Sequence, residues 1–279
     1  MISIAASTIA LPPGNHDAHL AGLRELGLDA LEVAPSRRWP DTWKGLSSVA
    51  VNEYRHEIED AGLKVVGLHS LLFDHPELQL FGDDNAVAQT LDFMVHLSGV
   101  CRDLGGKTLI WGGGRKRGNI PLDLAFERAL TFMTKLVGRI ADHGTCFCFE
   151  PLGPNDADFI NRLEDAKRIV DAVDHTALRL QLDAKALVEN NEATLKTFET
   201  AAPSLVHFHA NEPGLGVLGT SGKIDHGALG SMLRSISYTG YVSAEQRMLN
   251  VEDPLADIAQ SLRVLQSCYL NKPASEARP

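Results

Sequence analysis

The sequence has no long hydrophobic run, no excess of basic residues and little cysteine, and each shortage removes a class of function. No apolar stretch approaches the ~20 residues that a helix needs to cross a bilayer, so no membrane association is expected. The opening Met1-Ile2-Ser3-Ile4-Ala5-Ala6 lacks the basic leader of a secretory signal and reads instead as a first strand. Lys and Arg number 26 against 36 Asp and Glu, a formal net charge of -10. A duplex nucleic acid is therefore not an expected partner, because gripping phosphates requires a positive field. Four cysteines in 279 residues make no disulfide framework, which favours a cytoplasmic location. Cys146 and Cys148 lack the further thiolates of a soft-metal site and belong with core packing. Missing too is the spacing of either nucleotide-binding glycine motif. The run Gly112-Gly113-Gly114-Arg115-Lys116-Arg117-Gly118 reads as a flexible, basic surface loop.

What is present suffices for a sizeable core. Hydrophobic residues make up 44% of the chain, and its length suits one α/β barrel or two smaller domains. Short β-rich runs at residues 2–7, 30–33, 64–68 and 108–111 alternate with amphipathic stretches at 19–26, 49–61, 87–104 and 121–143. Gly27, Gly62 and Gly105 stand just past three of these helices, where glycine commonly ends one. Four more strands follow, interleaved with helices near 162–173, 192–201, 226–235 and 255–270. Such alternation implies a parallel sheet. Eight strand–helix units imply closure into a single-domain (β/α)8 TIM barrel over residues 1–270, in preference to an open doubly wound sheet. Residues 271–279 are polar and proline-bounded and read as a disordered tail.

The last four strands end on residues of metal-ligand type: Glu150 after Cys146-Phe147-Cys148-Phe149, Asp183 after Leu180-Gln181-Leu182, His209 after Val206-His207-Phe208, and Glu245 after Val242-Ser243-Ala244. In a closed barrel the carboxyl ends of the strands meet at one mouth, where barrel enzymes keep their chemistry. Two Glu, one Asp and one His make a hard, mostly oxygen site for one divalent metal ion, suited to Mn, Mg or Co, with Zn less favoured. Alternation adds Gln181 and Lys185 to the face of Asp183, His207 and Asn211 to that of His209, and Ser243 and Arg247 to that of Glu245. A structural ion-pair network would use the same residue types. Their repeated placement at strand ends favours the metal site, since unpaired buried carboxylates are costly.

Phe149-Glu150-Pro151-Leu152, Gln181-Leu182-Asp183, His207-Phe208-His209 and Gly240-Tyr241-Val242-Ser243-Ala244-Glu245 resemble the metal motifs of the xylose isomerase-like TIM barrel superfamily. The branch it resembles includes tagatose 3-epimerase, hydroxypyruvate isomerase and inosose isomerase. The resemblance implies that Glu150, Asp183, His209 and Glu245 hold one divalent cation, manganese first. It also implies that Glu150 and Glu245 exchange protons with the substrate, and it makes a homodimer one expected assembly. The activity so implied is isomerisation or epimerisation of a keto-sugar, sugar acid or sugar phosphate through a cis-enediolate. A cation beside the carbonyl stabilises such an intermediate electrostatically, and two carboxylates supply one acid and one base.

One position departs from the family pattern. Many epimerases of the branch carry a sugar-contacting histidine three residues after the aspartate, and here Ala186 stands there. Lys185 and Arg247, two cations beside the metal, then suit an acidic or phosphorylated substrate and keep open a dehydratase acting on an inosose or a dehydroshikimate-like acid. His69, at the end of the third strand, is a candidate donor to a substrate hydroxyl, and His207 a candidate contact beside it. Trp111 is a candidate pocket wall or a core residue. The glycine-rich stretch 211–222 either closes over substrate or lies passive. A nuclease of the endonuclease IV branch needs several more histidine ligands and is disfavoured by the net charge of -10.

Overall fold

Helix ends follow local chemistry in the computed structural model, which describes residues 1–270. Gly27, Gly62 and Gly105 adopt φ of +88°, +76° and +85°, the left-handed conformation that only glycine takes freely. They close the helices Asp17–Glu25, Ser48–Asp60 and Asp84–Asp103. The helix Leu122–Arg139 begins behind Pro121, carries Asp123 in its first turn and Arg139 in its last, and so complements its own dipole. It buries Ala125, Phe126, Ala129, Phe132, Met133, Leu136 and Val137, a single stripe at helical spacing. Each large side chain of that stripe contributes about 1.5–3 kcal/mol by leaving water.

Eight parallel strands close in sequence order: β1 Ser3–Ser7, β2 Ala30–Val33, β3 Lys64–Leu68, β4 Thr108–Trp111, β5 Cys146–Phe149, β6 Leu178–Asp183, β7 Leu205–Ala210 and β8 Tyr241–Ala244. β8 returns to β1, with Val242 opposite Ile4. The expected TIM barrel is thus the observed one. The tail expected at 271–279 lies outside the described residues.

Register decides which side chains share a level. Asp183 pairs with His209, and His209 with Ser243, so the ends of β6, β7 and β8 stand side by side. The ladder slips by one residue between Leu31 and Glu32 against β3 and between Leu180 and Gln181 against β7. Such irregularities re-aim the side chains beside them. Deeper in the barrel, Ala5, Ala30 and Val66 pack together with Tyr241, a small apolar plug on which the polar layer rests. Cys148 is fully buried and Cys146 partly so, as core packing predicts.

Candidate metal centre

Barrel closure gathers the four expected ligands. His209 is their hub: its Nδ1 lies 3.1 Å from Glu150 Oε1, 3.6 Å from Glu245 Oε2 and 3.9 Å from Asp183 Oδ2. One donor atom from each of the four lies within 4.8 Å of every other. Two metal bonds of about 2.0–2.6 Å bridge such a span. Glu150, Asp183 and His209 are buried, while Glu245 is partly open.

Each ligand is held from behind. Glu150 Oε1 accepts from Gln181 Nε2 at 3.2 Å, and the Glu150 carbonyl accepts from the Arg115 guanidinium. Gly112 leaves room for this carboxylate, because a Cβ there would lie 2.2 Å from Glu150 Oε2. Asp183 ends β6 and caps the helix Ala184–Glu189, accepting from Ala186 N at 2.8 Å. Asn211 Nδ2 donates to Asp183 Oδ2 and, at 2.9 Å, to Glu245 Oε2.

Beneath the ligands sits Glu32, fully buried on β2. Its two carboxylate oxygens lie 3.2 and 3.0 Å from His209 Nε2, and one lies 3.0 Å from His207 Nε2. This contact turns the His209 Nδ1 edge toward Glu150, Asp183 and Glu245, the carboxylate–histidine arrangement that orients metal ligands. Glu32, His69 and His209 also lie close enough together to form a second ligand group. Both Glu32 oxygens are already spent on His209, so the group reads as support for the first site. Sequence reasoning missed Glu32. Its only signal was an acid inside the apolar run Ala30-Leu31-Glu32-Val33.

The electrostatics suit a cation. Burial, joined by Glu150 and Glu245, pushes the Asp183 carboxyl well above the usual carboxylate range. Burial also acts to raise Glu245, but His209, His69 and Asn211 outweigh it and hold that carboxyl down to about 2. For Glu32, burial is again overcome, here by His209, His207 and His69, and the group stays well below its ordinary value. His209 is pulled down by burial yet raised on balance, through Glu32, Glu245 and its bonds to Glu150 and Glu32. Three crowded acids and one imidazole form the donor set a divalent ion offsets.

The remaining candidates divide. His69 borders the cavity, with Nε2 bonded to Ser7 Oγ and Nδ1 3.5 Å from Glu245 Oε1. Arg247 is exposed on the rim and also lines the cavity. Lys185 borders it too, but from a helix, because β6 ends at Asp183. Its ammonium binds Asp156 and lies 3.6 Å from Glu189, so it is not the free cation expected of a regular strand. His207 is a correction: it is fully buried below the cavity against Glu32, so it supports His209 and meets no substrate. Trp111 is a second. Its ring is 1% exposed, packed among Phe132, Phe147 and Phe149, with Nε1 donating to Gly113 O at 2.8 Å. Arg115 is a third, since the supposed surface loop turns it inward to the carbonyls of Glu150, Phe159 and Ile160.

Above the ligands opens a cavity of about 1050 Å³, bordered by Glu150, Asp183, Asn211 and Glu245. In structure the chain is similar to D-psicose 3-epimerase of Clostridium cellulolyticum H10, with TM-score 0.80, 16% identity, and 96% of this chain and 99% of that one covered. It is similar also to the 3-keto-D-glucoside 4-epimerase of E. coli, with TM-score 0.78, 21% identity, and coverage of 96% and 100%. A third likeness is to the IOLI protein, solved with a zinc atom bound, at TM-score 0.73, 18% identity, and coverage of 97% and 99%. No curated protein sequence matches the chain. The sequence profile of the xylose isomerase-like TIM barrel matches residues 20–268. The chain belongs to the xylose isomerase-like TIM barrel family.

Proposed function

We propose that the protein is a divalent-metal-dependent isomerase or epimerase of a keto-sugar, with Glu150, Asp183, His209 and Glu245 holding one cation, manganese before magnesium, cobalt or zinc. The observation that carries this reading is the convergence of those four donors, within 4.8 Å of one another, on the floor of an open cavity. The likeness to sugar epimerases, one of them acting on a 3-keto-glucoside, supports the choice of substrate class.

When bound, the cation polarises a carbonyl and its neighbouring hydroxyl and so acidifies the C–H between them. Glu150 and Glu245 border the cavity as a pair of carboxylates, one able to take that proton while the other returns one. Gln181 and Arg115 fix Glu150, and Asn211 and His69 fix Glu245, so neither acid has to reorganise as charge develops. Asp183, tied to a helix N-terminus and to Asn211, is kept for binding rather than proton transfer. Dehydration leaned on a free Lys185. The ion pairs of that residue with Asp156 and Glu189 take the support away.

Proton NMR in deuterated water, with manganese-loaded protein and a panel of keto-sugars, tests the reading. Exchange of the proton beside the carbonyl and appearance of an epimer or isomer are expected. Glu150→Gln should lower that rate by about 10²–10⁴-fold while retaining most of the metal. An enone product, or a Glu150→Gln variant as fast as the native protein, would contradict it.

A further inference from the structure

At about 1050 Å³, the cavity slightly exceeds the ~300–1,000 Å³ usual for clefts that enclose drug-sized ligands. A single keto-sugar at the metal centre fills only a fraction of it. Beyond the ligands, the segment after β3 adds an apolar wall of Leu71, Leu72, Phe73, Pro76 and Leu78. Leu71, Leu72 and Leu78 are buried, but Phe73 is 78% exposed. The turn that carries it is anchored on both sides. Thr42 Oγ1 donates to Asp74 Oδ2 at 2.7 Å, and the His75 ring packs edge-on against Trp43 and Phe93. Ser70 starts the turn at φ 53°, a left-handed conformation uncommon outside glycine, and its carbonyl accepts from Phe73 N at 3.2 Å. A strained, anchored turn thus holds one aromatic ring out of the core at a cavity edge. Exposed apolar surface in that setting marks a binding site.

Another part of the lining is polar and already charge-matched. Lys185 sits with Asp156 and Glu189, which together offer ammonium donors and carboxylate acceptors to hydroxyl groups rather than a bare charge to an anion. Gly113 adds open space, since a Cβ there would meet nothing within 4 Å.

We propose that the substrate is a keto-glycoside: a keto-sugar ring at the metal centre, joined to a second, neutral ring that stacks on Phe73 and hydrogen-bonds to the Lys185, Asp156 and Glu189 group. The proposal rests on the reading of the metal centre as the reacting end, and its test separates the two. Calorimetry on the manganese-loaded protein compares phenyl glucoside with methyl glucoside, neither of which can turn over. The phenyl compound should bind at least tenfold more tightly, and Phe73→Ala should remove most of that difference. Equal affinities, no binding of either compound, or a difference that survives in Phe73→Ala would overturn the proposal. So would a Phe73→Ala variant whose mass in light scattering changes while its glycoside affinities do not, because the ring would then belong to a contact between copies. Turnover is read separately on keto-sugars and keto-glycosides. If none reacts and the affinity difference stands, the metal-centre reading fails and the second-ring subsite remains.

Discussion

Glu32 shows how one residue can govern a site it never touches the substrate in. It is fully buried, and both its oxygens lie within 3.2 Å of His209 Nε2, so it sets which edge of that ring faces the ligands. Glu32→Gln should weaken metal binding about 10–100-fold, as loss of such a partner does elsewhere. Titration of the metal-free variant with manganese measures it, and unchanged affinity would mean that packing alone orients His209. The ligands themselves predict a pH dependence. Asp183 is raised by burial and by Glu150 and Glu245, and His209 is raised on balance, chiefly by Glu32 and Glu245. Both therefore keep their protons to higher pH than free side chains do. A cation must displace those protons, so binding should release protons at neutral pH and weaken as pH falls. Calorimetry in two buffers of different ionisation enthalpy gives the count. A count of zero would show the ligands already deprotonated before the metal arrives.

At the scale of elements, the site depends on where strands stop. β6 ends at Asp183 and the chain turns at once into the helix Ala184–Glu189, which removes Lys185 from the inward face that strand alternation assigns it. The four ligands were legible because each closes an apolar run, and parallel closure puts such ends at one rim. Glu32 was not, because its partner His209 lies 177 residues away and only the closed barrel brings them together. Arg115 was misread for a related reason: glycine neighbours signal a loop but do not say which side chains the loop buries. Gly112 tests the fit between strand ends. Its substitution by Ala places a Cβ 2.2 Å from Glu150 Oε2, with no left-handed backbone to add strain of its own. Displacing that carboxylate by about 1 Å should cost on the order of a hundredfold in turnover with the fold intact by circular dichroism. Full activity in Gly112→Ala would show that Glu150 has room to move.

Across the whole molecule, eight strand–helix repeats build a rigid cylinder whose lower half is apolar and whose upper rim is chemical. The barrel order follows from alternation of short strands with amphipathic helices, which the sequence displays without interruption from β1 to β8. The shape of the cavity does not follow from it, because that depends on how the turn carrying Phe73 is anchored to Thr42, Trp43 and Phe93. The account turns on one ion at the centre of four residues. Anomalous diffraction from a manganese-soaked crystal, recorded at the manganese edge, addresses it most directly. The prediction is one peak per chain, about 2.0–2.6 Å from a donor atom of each of Glu150, Asp183, His209 and Glu245. A peak elsewhere, or none at full manganese saturation, would contradict it.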